Sequence, residues 1–172
     1  MKKYFLSLTL LFTANANSYE FRGIDLYDNC SNIVSYENNL NSKVIEIDKG
    51  IGNYFFENQV FGKTAKIKYH CGNYGQFDNK LTGGDYEFSF NDYDEAKPFF
   101  EQLLKEYTLL YGSPVLYRSE NETTSPESHS ANWKKFIQTE QWYQAKTTAS
   151  LRLVTLGTGK TFVVVKFIIR KL

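Results

Sequence analysis

The stretch from Asn91 to Pro114 constrains the fold more than any other part of this chain. Its apolar side chains recur at steps of three and four residues, which places them in one continuous stripe along an α-helix. The stripe consists of Ala96, Phe99, Phe100, Leu103, Leu104, Tyr107, Leu110 and Tyr111. Gly112 stands where helices commonly adopt a left-handed cap, and Pro114 blocks continuation. A helix with one apolar face needs a sheet to cover, and strand-like segments lie on both sides of it in sequence.

The start of this helix carries three acidic residues and a proline. Pro98 lacks a backbone N–H, and its ring collides with a carbonyl one turn earlier. We therefore expect Asp94 to cap the helix, or a looser first turn before Pro98. Asp92, Asp94 and Glu95 place negative charge at the positive end of the helix dipole, which explains the cluster without catalysis. A hydrolase that uses two paired carboxylates is an alternative hypothesis, although no feature of the sequence identifies one such pair.

The segments before this helix follow strand and helix patterns in turn. They are a strand at Tyr19–Leu26, a helix at Asn29–Leu40, strands at Lys43–Asp48, Tyr54–Phe61 and Thr64–His70, a loop rich in Gly and Asn at Cys71–Gly84, and a strand at Asp85–Phe90. Within the first helix, the residues at helical spacing are Cys30, Ile33, Val34, Glu37 and Leu40. In Thr64–His70 apolar and polar residues alternate strictly, which predicts a strand with one buried and one wet face.

The last third of the chain is predominantly of strand character. A short strand at Val115–Tyr117, a polar loop at Arg118–Ser130, strands at Trp133–Lys146 and Thr147–Leu156, and a strand at Lys160–Arg170 follow one another. The order suggests two related halves, although no residue-level repeat supports a duplication. We predict an α+β fold, with an antiparallel meandering sheet and two helices packed on one face.

The N-terminus has the pattern of a secretory signal peptide. Lys2 and Lys3 precede an apolar run at Tyr4–Phe12, and Ala14 and Ala16 are small residues at the positions that a signal peptidase recognises. We expect residues 1–16 to be a signal peptide and residues 17–172 to form a single domain in the bacterial periplasm or outside the cell. The alternative is a buried N-terminal strand. We expect no membrane insertion of the mature protein, because no later run is long and apolar enough.

The chain has two cysteines, Cys30 and Cys71. In an oxidising compartment an isolated pair usually forms one disulfide, and two free buried thiols are the alternative. A metal site is disfavoured, because only His70 lies near either cysteine in sequence.

The charge is nearly balanced, with 20 basic and 19 acidic residues. Loss of Lys2 and Lys3 with the signal peptide leaves 18 basic against 19 acidic residues. Such a chain has no electrostatic footprint for nucleic acid, so we expect no nucleic-acid partner.

The string GTGKT at 157–161 looks like the end of a phosphate-binding loop. The full motif needs a glycine five residues before Gly159, and Val154 holds that place. The loop must also open a helix, whereas a β-branched segment follows. We interpret the string as a hairpin turn and expect no cofactor.

The two histidines, His70 and His129, do not form a recognisable catalytic motif. His70 adjoins Cys71, but neighbours in a strand point to opposite faces, and a disulfide-bonded cysteine is no nucleophile. We assign no catalytic, cofactor-binding or metal-binding residue.

Aromatic residues near the C-terminal hairpins could contact a partner. Trp133, Trp142 and Tyr143 are candidates for a protein-binding face, with core or edge packing as the alternative. The leading hypothesis is a non-enzymatic periplasmic protein that binds another protein, as an inhibitor, an immunity protein or an envelope accessory factor. A cell-wall-directed hydrolase with dispersed catalytic residues and a small-ligand carrier are the alternatives.

Two short motifs resemble those of a group of small exported bacterial proteins, most of them uncharacterised. After the signal these proteins show an F-x-G-I/L segment, and later a helix that ends in Y-G-x-P. The matching residues here are Phe21-Arg22-Gly23-Ile24 and Tyr111-Gly112-Ser113-Pro114. The resemblance implies an α+β fold and a periplasmic location, and it carries over no catalytic residue.

Overall fold

The structure of the protein is a computed structural model that describes residues 20–48, 50, 52–73, 75–119, 128–139 and 142–171. The predicted signal peptide, residues 1–16, lies outside the described residues. The strands are β1 (Glu20–Phe21), β2 (Ile24–Asp25), β3 (Lys43–Asp48), β4 (Asn53–Val60), β5 (Lys63–Cys71), β6 (Leu81–Phe90), β7 (Val115–Ser119), β8 (Ser128–Thr139), β9 (Trp142–Thr155) and β10 (Thr161–Lys171). The helices are α1 (Ile33–Asn39) and α2 (Tyr93–Tyr111), with 3-10 turns at Cys30–Asn32 and Gly75–Phe77.

Eight of these strands form one antiparallel sheet in the order β3-β4-β5-β6-β10-β9-β8-β7. Each half of the sheet is a four-stranded meander that follows one helix, α1 before β3–β6 and α2 before β7–β10. The last strands of the two meanders, β6 and β10, pair at the centre of the sheet. The predicted α+β fold is confirmed, and the two halves are related in topology.

Helix α2 begins two residues earlier than a cap at Asp94 would allow. The side chain of Asp92 caps the helix by accepting a hydrogen bond from the backbone N–H of Glu95 at 2.9 Å, so the prediction of Asp94 was wrong. The Glu95 carboxylate in turn accepts from the backbone N–H of Asn91 at 3.1 Å. These reciprocal bonds satisfy N–H groups at the helix start, and Pro98 lies inside the helix. Gly112 ends it at a φ of 82°, as predicted.

The apolar stripe of α2 packs on aromatic side chains of β6 and β10. The ring of Phe99 lies 4.8 Å from that of Phe88 in an edge-to-face arrangement, and Tyr107 lies 6.0 Å from Phe167. We call this side of the eight-stranded sheet the covered face. The stripe is longer than the contact, because Leu110 and Tyr111 at the end of the helix are exposed.

Helix α1 packs on the same face, through Ile33 and Glu37, which are both fully buried. The hydroxyl of Tyr69 on β5 donates a hydrogen bond to Glu37. Because Tyr69 shares its face of the sheet with Tyr86 and Phe88, both helices lie on the covered face, as predicted. The predicted helix at Asn29–Leu40 is divided into the 3-10 turn and α1.

The structure corrects two predictions for the part of the chain before α2. Tyr19–Leu26 was predicted as one strand. Its described residues instead form a tight hairpin of β1 and β2, because Arg22 and Gly23 both adopt positive φ, and Tyr19 lies outside the described residues. The predicted loop at Cys71–Gly84 ends earlier, since β6 already begins at Leu81. The ring of Phe21 occupies the space that a side chain on Gly84 would fill. The glycine therefore marks a close approach within a strand and not a turn.

The C-terminal strands also differ from the sequence prediction. The predicted polar loop at Arg118–Ser130 includes the end of β7 and the start of β8, and residues 120–127 lie outside the described residues. The segment predicted as one strand at Trp133–Lys146 is divided, because β8 ends at Thr139 and β9 begins at Trp142, and residues 140–141 lie outside the described residues. Neither glycine, proline nor asparagine stands at 140–141, so the usual sequence signal for a turn is missing.

Candidate functional site

The side of the eight-stranded sheet opposite α1 and α2 carries no helix among the described residues. We call it the open face. Strand register places side chains from β3, β4, β5, β6, β10 and β9 there in rows that run across the sheet. One row contains Lys43, Glu57, Lys66, Glu87, Val164 and Arg152, and the next contains Glu46, Phe55, Lys68, Asp85, Lys166 and Ser150. The two rows bring together residues that are more than a hundred positions apart in sequence.

Charges of opposite sign alternate along these rows. Lys43 Nζ lies 3.7 Å from Glu57 Oε1 at the edge of the sheet. Lys66 pairs across the strands with both Glu57 and Glu87. Opposite charges directly across a sheet stabilise the pairing slightly, whereas like charges oppose it. The alternation gives the open face strong local charge without a field of one sign, which does not suit a polyanion.

Apolar side chains lie between the charges. Phe55 is half-buried beneath two lysines, with Lys66 Nζ 4.8 Å and Lys68 Nζ 5.2 Å from the ring centre. Lys160 Nζ lies 5.6 Å from the ring of Phe162 in the same manner. Val154, Val164 and Ile168 are half-buried on the same face. Both rings are half-buried and not fully buried, so the face offers apolar contact area as well as charge.

An ion pair lies near the middle of the open face. His70 Nε2 is 2.8 Å from Asp85 Oδ2, and Lys166 Nζ is 3.9 Å from Asp85 Oδ1. The two side chains of the closer pair are 23% and 16% exposed. A carboxylate that hydrogen-bonds an imidazole fixes the orientation of the ring, and this is the geometry that a general base requires. His70 lies on the open face and Cys71 on the covered face, as the alternation predicts.

The two cysteines form a disulfide, as predicted, and so neither is a free thiol. The bond ties the 3-10 turn before α1 to the end of β5, across 41 residues of sequence. Among the described residues no group of three or more His, Cys, Asp or Glu side chains is placed to hold a metal ion.

A second cluster of charged residues is sealed on the covered face. Arg22 Nε lies 2.7 Å from Glu37 Oε1, and the hydroxyls of Ser42 and Tyr69 donate to the same carboxylate, which is fully buried. Asn58 Nδ2 donates to Ser42 Oγ at 2.7 Å and extends the network to β4. Because Glu37 cannot reach solvent or a partner, the network joins α1 and the β1–β2 hairpin to the sheet and is not a binding site.

The network changes the acidity of its own members. Burial, together with the negative charge of Glu37, raises the pKa of Tyr69 well above its ordinary value. Burial alone would lower the pKa of Arg22, but the hydrogen bond and charge of Glu37 outweigh it and raise that pKa. Sequence reasoning missed this cluster, although an acidic residue on the stripe of the first helix, four positions after Ile33, was a signal for it.

A shallow depression of about 320 Å³ lies where the β4–β5 hairpin meets the start of α2. Its lining includes Lys63, Thr64, Ser89 and Glu95. Lys63 Nζ covers the ring of Phe90 at 5.1 Å. The site is polar and open to solvent, unlike the enclosed apolar pockets that hold most small ligands.

The aromatic residues proposed from sequence as partner contacts belong to the C-terminal strands. The backbone of Trp133 pairs with that of Ala149 in β9, and Trp142 closes the β8–β9 hairpin opposite Thr139. The side chains of Trp133, Trp142 and Tyr143 lie outside the described part of the structure, as does that of His129. Their role in binding stays a prediction.

Comparison with models of known protein families, with curated protein sequences and with solved structures found no match to this chain. Within the described residues, neither helix has the length and apolar character required to cross a membrane.

Proposed function

We propose that this chain is a non-enzymatic protein of the bacterial periplasm that binds another protein through the open face of its sheet. Its role would be that of an inhibitor, an immunity protein or an envelope accessory factor. The observation that carries the proposal is the combination on one uncovered surface of half-buried apolar side chains, such as Phe55 and Val164, with alternating charges.

The chemistry of this face matches what protein interfaces use. Such interfaces join an apolar centre to a polar rim and gain specificity from complementary charges. The aromatic rings at Phe55 and Phe162 can supply contact area, and the ion pairs around them can set the orientation of a partner. A sheet face with charges of alternating sign suits a folded protein surface better than a nucleic acid or an enclosed small ligand.

The periplasmic location is supported by two features of the chain. Disulfides persist in oxidising compartments and are rare in the cytosol, so the Cys30–Cys71 bond supports a location outside the cytosol. The basic and apolar pattern of residues 1–16 matches a secretory signal, and the likeness to small exported bacterial proteins points to the same compartment.

A pull-down with the full-length gene product, tagged at its C-terminus and recovered oxidised from the envelope of its own cells, tests the proposal. We expect one stoichiometric protein partner by mass spectrometry. The double variant Glu87→Lys/Arg152→Glu reverses two exposed charges in one row of the open face and should lose that partner. Lys105→Glu, on the exposed side of α2, is the matched control and should retain it. Retention by the double variant would show that the open face is not the binding surface.

A cell-wall-directed hydrolase is the second candidate, and the His70–Asp85 pair is the observation that favours it. A general base of this type would accept a proton from water or from a substrate hydroxyl. If the protein cleaved purified cell-wall fragments and His70→Ala abolished the cleavage while the protein stayed folded, the hydrolase would replace the binding protein as the better account. Cleavage by neither protein would remove this candidate.

A further inference from the structure

Strand β3 forms one edge of the eight-stranded sheet and exposes three apolar side chains. Among the described residues no strand pairs with its outer side. Val44 is 43% exposed, Ile45 is 45% exposed and Ile47 is 37% exposed. An edge of this type presents unpaired N–H and C=O groups as a template for another strand. Three charged residues, Lys43, Glu46 and Asp48, and a bulge provide the usual protection against such pairing.

The bulge in β3 changes which side chains share a face. The register with β4 shifts between Val44 and Glu46, so Ile45 is the extra residue. Lys43 pairs with Glu57 and Asp48 pairs with Asn53, and both therefore lie on the open face. In a regular strand two residues five positions apart lie on opposite faces. The bulge thus places the first and last residues of β3 on the same side.

We propose that two copies of this chain dimerise by antiparallel pairing of their β3 strands about a two-fold axis at the bulge. This register sets Lys43 opposite Asp48 of the second copy on the open face, and it does so twice. It also sets Val44 opposite Ile47 of the second copy on the covered face. The charges at the ends of the pair then meet their opposites, and Val44 and Ile47 of the two copies meet each other. At the axis Ile45 of each copy lies opposite Glu46 of the other.

Registers shifted by one residue lack this complementarity. A shift of one residue sets Lys43 opposite Ile47, or Val44 opposite Asp48, and each of these pairs joins residues that lie on different faces of the sheet. Directly opposed residues of an antiparallel pair must share a face, so these registers are excluded. The bulge, which weakens the pairing of most edges, here excludes both one-residue shifts of this register. The dimer would extend the open face across both copies and present two partner-binding surfaces side by side.

Sedimentation of the oxidised full-length product, purified after export, measures the association directly. We expect monomer and dimer to be in reversible equilibrium at a protein concentration of about 100 μM, because short interfaces of this type bind weakly. Lys43→Glu should weaken dimerisation by about tenfold, because it replaces two attractions with two repulsions. Asp48→Lys should do the same. The double variant Lys43→Glu/Asp48→Lys exchanges the charges and should restore the affinity of the unaltered protein.

The restoration distinguishes this register from a general loss of surface charge or of folding. Lys105→Glu on α2 changes the charge as Lys43→Glu does, and should leave the dimer intact. Hydrogen exchange at the amides of residues 43–48 should slow as the protein concentration rises. A protein that sediments as a monomer at every concentration tested would overturn the proposal. A dimer that ignores the single reversals, or a double variant that is no better than either single one, would do the same. None of these results depends on the partner proposed for the open face.

Discussion

The two faces of the eight-stranded sheet are built by the same strands from alternate residues, yet they differ in how polar groups are treated. On the covered face Glu37 is fully buried and receives hydrogen bonds from Arg22, Ser42 and Tyr69. On the open face Asp85 has one short contact with His70 and a longer one with Lys166. A sealed, satisfied cluster serves stability, whereas charges that solvent can reach remain available to a partner. We therefore expect substitutions on the covered face to affect mainly folding, and those on the open face mainly binding.

Removal of the buried carboxylate should have the largest effect on stability. Glu37→Ala should lower the free energy of unfolding by about 3–5 kcal/mol, because it leaves a largely buried Arg22 and the Tyr69 hydroxyl without their partner. Glu87→Ala on the open face is the matched control and should cost less than about 1 kcal/mol. Urea denaturation followed by far-UV circular dichroism measures both. Equal losses at the two sites would break the distinction between the faces.

Loss of the disulfide should follow in size. The Cys30→Ser/Cys71→Ser variant should be less stable by roughly 2–4 kcal/mol, because the bond closes a long loop in the unfolded chain. Denaturant titration of the oxidised protein and of the variant, at equal concentration, gives the difference. If the variant matched the oxidised protein, the bond would not be needed to hold the 3-10 turn and α1 against the covered face.

Alkaline pH should destabilise the protein through the buried tyrosines of the covered face. Burial raises the pKa of Tyr69, Tyr86 and Tyr107 above the ordinary value of 10.0. Below pH 10 these phenols are protonated in both states, and their contribution to stability is fully present. Above pH 10 the unfolded chain releases protons that the folded chain retains, so stability falls by about 1.4 kcal/mol per pH unit for each tyrosine. Tyr107→Phe should reduce that slope by one tyrosine, which denaturation at a series of pH values measures. An unchanged slope would contradict the assignment.

The open-face charge reversal should have the smallest effect on stability. Both Glu87 and Arg152 are exposed, so Glu87→Lys/Arg152→Glu should change the free energy of unfolding by less than about 1 kcal/mol. Thermal denaturation of the variant and of the unaltered protein provides the comparison. A large loss of stability would mean that the open face contributes to folding as the covered face does. Any loss of binding in the variant would then result from partial unfolding and not from the lost charges.

Local patterns were sufficient to predict much of this fold. The stripe of α2, the alternation of β5 and the Cys30–Cys71 pairing each depend on a few residues close in sequence or on composition, and all three are confirmed. Features that depend on distant contacts were missed. Gly84 looked like part of a loop because nothing in sequence shows that Phe21 lies over it.

The candidate site was largely beyond sequence reasoning for the same reason. The polar side of β5, with Lys66, Lys68 and His70, was predicted from alternation alone. Its neighbours across the sheet could not be predicted, because the row that joins Lys68 to Asp85 and Lys166 exists only once the register of three strands is known. Strands β6 and β10 pair at the centre of the sheet, although α2 and strands β7, β8 and β9 separate them in sequence.

Site-specific photo-crosslinking in living cells tests the central claim, that the open face binds another protein. A photoreactive amino acid replaces Glu87 at the centre of the open face, or Lys105 on the outer side of α2 as the control. The account predicts that the probe at position 87 forms a discrete covalent adduct with one other envelope protein and that the probe at position 105 does not. The absence of an adduct at position 87 from folded, exported protein, or the same adduct from both positions, would contradict it.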